Sequence, residues 1–197
     1  MDYQLLIIAV VAGYTLGSLP FGLFIAKVFG QGDIRQIGSG NIGATNVLRT
    51  GRKDLAALTL LLDGGKAAVA AFLINHFFGA PYGLVAGAAA LFGHCFPVWL
   101  RFKGGKGVAT FFGCLLATAW PIGLIAAAIW LGIAILFRIS SMAALWAAGT
   151  APFFALLMGS TDIAAMAAIL ALVIFIRHKD NIKRIAKRTE PRIGGKK

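Results

Sequence analysis

The chain has 197 residues, 59% of them hydrophobic and only 13% charged, with a mean hydropathy of +0.83. A soluble domain is about 25% charged, and no soluble fold of this size could bury so much apolar surface, so lipid must be the solvent. The net charge of +12 would suit nucleic acid, but the charges sit at the ends of apolar segments rather than on a soluble domain, which excludes that partner.

Residues 4–26 carry no charge. They are too long for a signal-peptide core, and Asp2 stands where such a peptide needs a basic residue, so they predict a retained first helix. Residues 67–100, 107–137, 139–161 and 163–176 also lack Lys, Arg, Asp and Glu. A crossing takes about 20 residues, fewer where the helix is short or the bilayer thins. The second helix extends back through Leu55–Leu62 and is expected over 55–78. Gly79-Ala80-Pro81-Tyr82-Gly83 reads as a break, followed by a third helix over 82–99. Trp120-Pro121 divides 107–137 into two short helices joined by a tight turn. The last two helices are expected over 141–158 and 162–177, with Gly159-Ser160 between them.

Parity tests this count. Seven segments put loop 27–54, loop 100–106, Arg138 and the tail 177–197 on one side, which then accounts for all nineteen Lys and Arg residues, counting Lys66 inside the second helix. A single span over 107–137 would send Arg138 and the basic tail to the opposite face, against the positive-inside rule. The expected fold is therefore all-α: one domain, residues 1–197, forming a polytopic integral membrane bundle of seven helices, some of them short. Its N-terminus lies outside and its C-terminus in the cytoplasm. Cys95 and Cys114 read as small apolar residues, since no spacing indicates a zinc site or redox pair.

Three motifs gather on the basic side. In Gly38-Ser39-Gly40-Asn41-Ile42-Gly43-Ala44-Thr45-Asn46, three glycines in six residues let backbone N–H groups turn toward a common point. Ser39, Asn41, Thr45 and Asn46 add neutral donors, and Arg49 adds a planar charged fork, a cradle suited to phosphate or a developing oxyanion. The second motif runs from Gly93-His94-Cys95-Phe96-Pro97 to Phe102-Lys103-Gly104-Gly105-Lys106-Gly107-Val108-Ala109-Thr110. Leu100 and Gly107 stand where a Walker A loop needs Gly and Ser or Thr, yet a Gly-rich turn with lysines opening a helix still attracts anions. Asp63 and Lys66, three apart, share a helix face inside the second helix, where ionisable groups are functional or paired.

The third motif is His178 with Asn181, again three apart, at the end of the last helix; His exchanges a proton readily near neutrality. Ser140-Ser141 opens the sixth helix as an N-cap. Nine basic residues between Arg177 and Lys197 read as anchors to anionic lipid, and Glu190, the only Glu, as a partner for a tail Arg or Lys. His76 is assigned no role, and the chain shows no metal cluster, Ser-His-Asp pattern or nucleotide fingerprint.

Together these segments resemble the bacterial acyl-phosphate:glycerol-3-phosphate acyltransferases, small integral membrane enzymes. The family's first motif matches Gly38–Arg49, its second Gly93–Thr110, and its third His178-Lys179-Asp180-Asn181 with Thr189-Glu190-Pro191. The resemblance implies a seven-helix membrane fold in the bacterial cytoplasmic (inner) membrane, with the active site facing the cytoplasm. It implies transfer of a fatty acyl group from acyl phosphate to the 1-hydroxyl of glycerol 3-phosphate, giving lysophosphatidic acid and inorganic phosphate, the first acylation of phospholipid synthesis. It implies no cofactor, no metal and no obligatory protein partner. By motif, Ser39 and Asn41 would hold the acyl-phosphate head and the oxyanion, with Gly38, Gly40, Thr45 and Asn46 around them. Arg49, Lys103 and Lys106 would meet phosphate, and Gly104 and Gly105 would admit glycerol 3-phosphate close to the backbone. His178, Asn181 and Ser141 would orient that acceptor, with Asp63, Lys66, His94 and Glu190 in support. Two positions depart from the family: Ala67 and Arg188 stand where Gly is common.

No carboxylate offers itself as general base, so the phosphate of glycerol 3-phosphate, with a second pKa of about 6, is expected to take the hydroxyl proton; a covalent acyl carrier at Ser39 is the rival. A membrane transporter for a small phosphorylated anion is the competing class. It would show inverted repeats and polar groups near the midplane, whereas here they gather at one face. CoA-dependent acyltransferases often use His-x4-Asp, but Pro81, Trp99 and Lys183 follow His76, His94 and His178 at that spacing.

Overall fold

A computed structural model describes residues 2–194. All regular structure among them is helical, and each of the seven expected helices has a counterpart. The first is broken in two, α1 (Tyr3–Gly17) and α2 (Phe21–Val28). Pro20 donates no backbone hydrogen bond and pushes Leu19 out of helical geometry. A short helix, α3 (Ala44–Val47), then lies within the first basic loop. The second expected helix is α4 (Lys53–Phe78), which ends at Gly79 with φ +96°.

The third, α5 (Ala80–Cys95), begins earlier than expected, because Pro81 fits the first turn, where its missing N–H costs nothing. It also ends earlier, at Cys95, two residues before Pro97. The break expected at Trp120-Pro121 is a single residue, Ala119, between α6 (Val108–Thr118) and α7 (Trp120–Phe137), with Pro121 again in a first turn. Next come α8 (Ser140–Leu157) and α9 (Thr161–Arg177). An unexpected helix, α10 (Lys179–Ala186), bends away from α9 by 65°. Five segments are long and apolar enough to cross a membrane: Tyr3–Val28, Lys53–Phe78, Ala80–Leu100, Trp120–Phe137 and Ser140–Leu157; the bent α9–α10 pair makes a sixth. The 11-residue α6 is apolar but, at about 16 Å, too short to cross alone.

The helices form two compact units, Met1–Thr118 and Ala119–Lys197. In the first, small residues bring backbones together, as membrane helices require where lipid supplies no hydrophobic drive. A Cβ on Gly17 would fall 2.0 Å from the Ala90 carbonyl oxygen, and one on Gly113 would fall 1.9 Å from that of Gly64, so α1–α5 and α4–α6 contacts tolerate no side chain there. Ile25, Ala26, Ile34, Val47, Leu55 and Ala56 form a core that seats the first basic loop on α2 and α4. In the second unit, a buried stripe on α8 (Ala143, Ala144, Ala147, Ala148, Ala151 and Ala155) packs the helix against its neighbours α7 and α9. Large apolar side chains such as Leu61, Phe72, Ile135 and Leu136 point outward, as in a protein surrounded by hydrocarbon.

Candidate active site

The first basic loop is folded from within by one amide. Asn46 is buried; its Nδ2 donates to the carbonyls of Ile34 (2.6 Å) and Ile37 (3.2 Å), and its Oδ1 accepts the Ser39 N–H (3.3 Å). Asn46 therefore holds the loop rather than presenting itself to a ligand, which alters the expectation from sequence. Gly38 takes φ +55°, and a Cβ there would meet Arg49 Cδ at 2.4 Å, so the Arg49 side chain lies across it. Ser39, Thr45 and Arg49 are exposed and Asn41 half-buried, so the loop's remaining donors face outward, while Gly40 (φ +68°) turns the chain. Asp33, at the loop's edge, pairs with Arg35 at 2.6 Å, and that bond pulls its carboxyl down to about 2.

Asp63, Lys66 and His94 form a second cluster, all buried. Lys66 Nζ lies 2.9 Å from Asp63 Oδ1, 2.9 Å from the Leu19 carbonyl oxygen and 2.8 Å from His94 Nδ1. The first span's break supplies the Leu19 carbonyl, so the lysine also caps that break. Beyond α5 the chain folds back on the helix end: Gly105 N–H donates to the His94 carbonyl (3.0 Å) and Gly104 N–H to that of Cys95 (3.2 Å). Gly104 and Gly105 are buried, Lys103 is exposed, and Lys106 is half-buried just ahead of α6. A Cβ on Gly104 would fall 2.1 Å from the His94 carbonyl oxygen, and one on Gly105 would fall 2.1 Å from His94 Nε2. The sequence reading gave these glycines to substrate approach; the contact seen is with His94. Tyr14 and Trp99 brace the turn: Tyr14 Oη donates to the Phe96 carbonyl (2.8 Å) and accepts the Val98 N–H (3.1 Å), and Trp99 Nε1 donates to the Ser18 carbonyl (2.9 Å).

The third cluster, in the second unit, is organised by Glu190. Its Oε1 accepts from Ser141 Oγ (2.6 Å) and Asn181 Nδ2 (2.5 Å), and its Oε2 from Arg184 Nε (2.6 Å). Burial alone would raise its pKa, but the bonds from Ser141, Asn181 and Arg184 outweigh that and hold the carboxyl below its ordinary value. Glu190 meets the tail arginine expected of it, and both Ser141 and Asn181 are oriented by it. His178 is buried at the α9–α10 bend, with Nδ1 2.8 Å from the Ile174 carbonyl, which puts the proton on Nδ1 in that bond. The tail then fastens to Arg138: Ile193 N–H donates to the Arg138 carbonyl (2.6 Å), and Arg138 Nη2 to that of Ile193 (3.0 Å).

The sequence reading missed Leu19, Tyr14, Trp99 and the Arg138–Ile193 bridge, and left open which tail cation meets Glu190. Pro20 was the one signal available, since it marks the break that exposes Leu19. The other partners lie far away in the chain or, like Arg184, among many similar cations. Among the described residues, no three His, Cys, Asp or Glu side chains converge as metal ligands.

A family model described as Glycerol-3-phosphate acyltransferase matches residues 7–188. The glycerol-3-phosphate acyltransferase of Maricaulis maris is 62% identical over 189 residues, 96% of this chain and 88% of the relative. That of Caulobacter vibrioides is 57% identical over 198 residues, 99% of this chain and 91% of the relative. Two crystal structures of PlsY (YgiH), an integral membrane glycerol 3-phosphate acyltransferase, superpose closely. Its glycerol 3-phosphate form has a TM-score of 0.91 at 37% identity and covers 96% of both chains. Its lysophosphatidic acid form has a TM-score of 0.88 at 36% identity and covers 96% of this chain and 95% of the other.

Proposed function

The chain belongs to the glycerol-3-phosphate acyltransferase family, and we propose that it acylates the 1-hydroxyl of glycerol 3-phosphate with acyl phosphate at the cytoplasmic face of the bacterial inner membrane. The observation that carries acyl transfer to glycerol 3-phosphate is the near full-length likeness to one solved enzyme in forms named for that acceptor and for lysophosphatidic acid.

The carboxylates favour acyl phosphate as the donor. Three of those near the polar clusters already have partners: Asp33 has Arg35, Asp63 has Lys66, and Glu190 has three donors; Asp180 is exposed on α10. A chemistry that needs a strong protein base fits poorly, whereas acyl phosphate is an activated mixed anhydride whose phosphate leaves without acid help. The acceptor's 1-hydroxyl oxygen attacks the acyl carbon, and its proton passes to the acceptor's own phosphate. The tetrahedral oxyanion then collapses, the acyl–oxygen bond to phosphate breaks, and inorganic phosphate departs. Ser39 and Asn41 donate to the acyl-phosphate head and the oxyanion, while Arg49, Lys103 and Lys106 offset phosphate charge. Gly38, Gly40 and Thr45 shape the first cradle, and Asn46 holds it. Gly104 and Gly105 set the second turn. His178 and Asn181 orient the acceptor, with Ser141 and Glu190 fixing Asn181; Asp63, Lys66 and His94 support the turn.

The test is phosphate release from palmitoyl phosphate by the purified protein, with and without glycerol 3-phosphate, beside a palmitoyl-CoA control. Release that depends on glycerol 3-phosphate and yields lysophosphatidic acid, with CoA inert, is expected. Turnover of the CoA thioester would overturn the donor, and trapping an acyl-Ser39 adduct would overturn the substrate-assisted step.

A further inference from the structure

Lys66 has the charge of a phosphate ligand but not the position of one. It is 4% exposed, and its three short polar contacts are all inside the protein. Lys66 Nζ meets the His94 ring at Nδ1, 2.8 Å away. Asp63 keeps the arrangement neutral, and its Oδ1 stands 3.5 Å from the same Nδ1. The imidazole is thereby held in one plane.

That plane is where the Gly-Gly-Lys turn rests. The three atoms nearest a Cβ built on Gly105 all belong to the His94 ring: Nε2 at 2.1 Å, Cε1 at 2.8 Å and Cδ2 at 3.0 Å. Gly105 has no positive φ, so alanine meets no backbone strain there, only the ring. Gly104 differs, because its nearest atoms are the His94 carbonyl oxygen at 2.1 Å, Pro97 Cδ at 2.5 Å and the Cys95 carbonyl carbon at 2.8 Å, none of them in the ring.

We infer that Lys66, Asp63 and His94 form a positioning unit whose imidazole occupies the place of a side chain at residue 105, so that glycine is required there by His94 rather than by substrate. The unit sets the height of the turn carrying Lys106 and couples it to the break in the first span through Leu19. This deepens the acyltransferase reading and rests on it for its kinetic readout.

A double-mutant cycle on the full-length protein tests it, reading kcat, KM for glycerol 3-phosphate, and Tm in detergent. Gly105→Ala alone should lower kcat/KM by about tenfold, and the same change in a His94→Ala background by less than about threefold; Gly104→Ala should cost the same factor in both backgrounds. Tm should follow the same pattern of relief, which is read without any turnover, so failure of the assay reaction leaves the inference decidable. An equal cost of Gly105→Ala in both backgrounds, or a double variant that regains neither Tm nor activity, overturns it. Removing the two charges together, Lys66→Met with Asp63→Asn, should raise KM for glycerol 3-phosphate by about tenfold while kcat changes by less than about threefold; an unchanged KM in a folded variant removes Lys66 and Asp63 from the unit.

Discussion

Asn46 shows how a side chain can serve a site without touching a ligand. The sequence places it in a run of Ser, Asn and Thr where any member could face substrate, and only burial distinguishes it. Its amide satisfies two carbonyls that would otherwise be stranded inside the loop. Asn46→Leu keeps the number and branching of side-chain heavy atoms and removes both donors, so it should destabilise the protein by about 2 kcal/mol, seen as a lower Tm in detergent. Glu190 gives a residue-scale prediction in pH. Its folded pKa lies below the ordinary 4.5, so its contribution is complete above that value and is lost as pH falls through the depressed one. Wild type should therefore have a higher Tm than Glu190→Gln near neutrality, and the gap should close in acid as the wild-type carboxyl takes up its proton. A gap that persists or widens in acid would mean that the three bonds do not favour the charged form.

At the scale of elements, apolar run length and the Gly and Pro signals located every spanning helix, and the errors have local causes. Proline was read as a stop at Pro81 and Pro121, but both sit in first turns, where proline is welcome. At Pro20 the same residue does break a span, and nothing in an uncharged run from 4 to 26 distinguished the cases. The helix α10 was hidden because its few apolar positions lie among cations. The candidate site was legible as three segments rich in glycine, polar and cationic residues. It was not legible as clusters, since Lys66–Leu19, Lys66–His94 and Ser141–Glu190 join residues 28 to 49 apart. One departure noted in the sequence acquires a cause: Arg188 stands where Gly is common in the family, and it takes φ +56°. A left-handed L-residue costs about 1–2 kcal/mol, so Arg188→Gly should raise Tm by an amount equivalent to about 1 kcal/mol after the extra freedom of unfolded glycine is counted. Arg188→Ala keeps the strain and serves as the control, with no gain expected.

At the scale of the whole chain, the distribution of charge and the shortness of α6 make one argument about topology. A helix of 11 residues covers about half of a 30 Å hydrocarbon layer. For α6 to cross, the stretch before it has to descend into the layer without helical hydrogen bonds, which is tolerated only where backbone is covered by protein. That condition is met: Gly104, Gly105 and Gly107 are buried, and the N–H groups of Gly104 and Gly105 reach the end of α5. If α6 with this lead-in crosses as one pass and α7 as the next, five passes separate Gln36 from Thr161, and the two residues lie on opposite sides. If α6 and α7 make a single pass, four separate them, and they share a side. Gln36, Thr161 and Lys187 are all exposed, while the native Cys95 and Cys114 are fully buried and give a quiet background for thiol labelling. With an impermeant reagent on intact cells, Thr161→Cys should be modified and Gln36→Cys and Lys187→Cys protected until the membrane is opened. Gln36→Cys and Thr161→Cys behaving alike, with Lys187→Cys opposite to both, would rule out the seven-pass topology in favour of a single α6–α7 pass. Labelling of Gln36→Cys and Lys187→Cys alone would keep the seven passes and invert them, against the proposed cytoplasmic site.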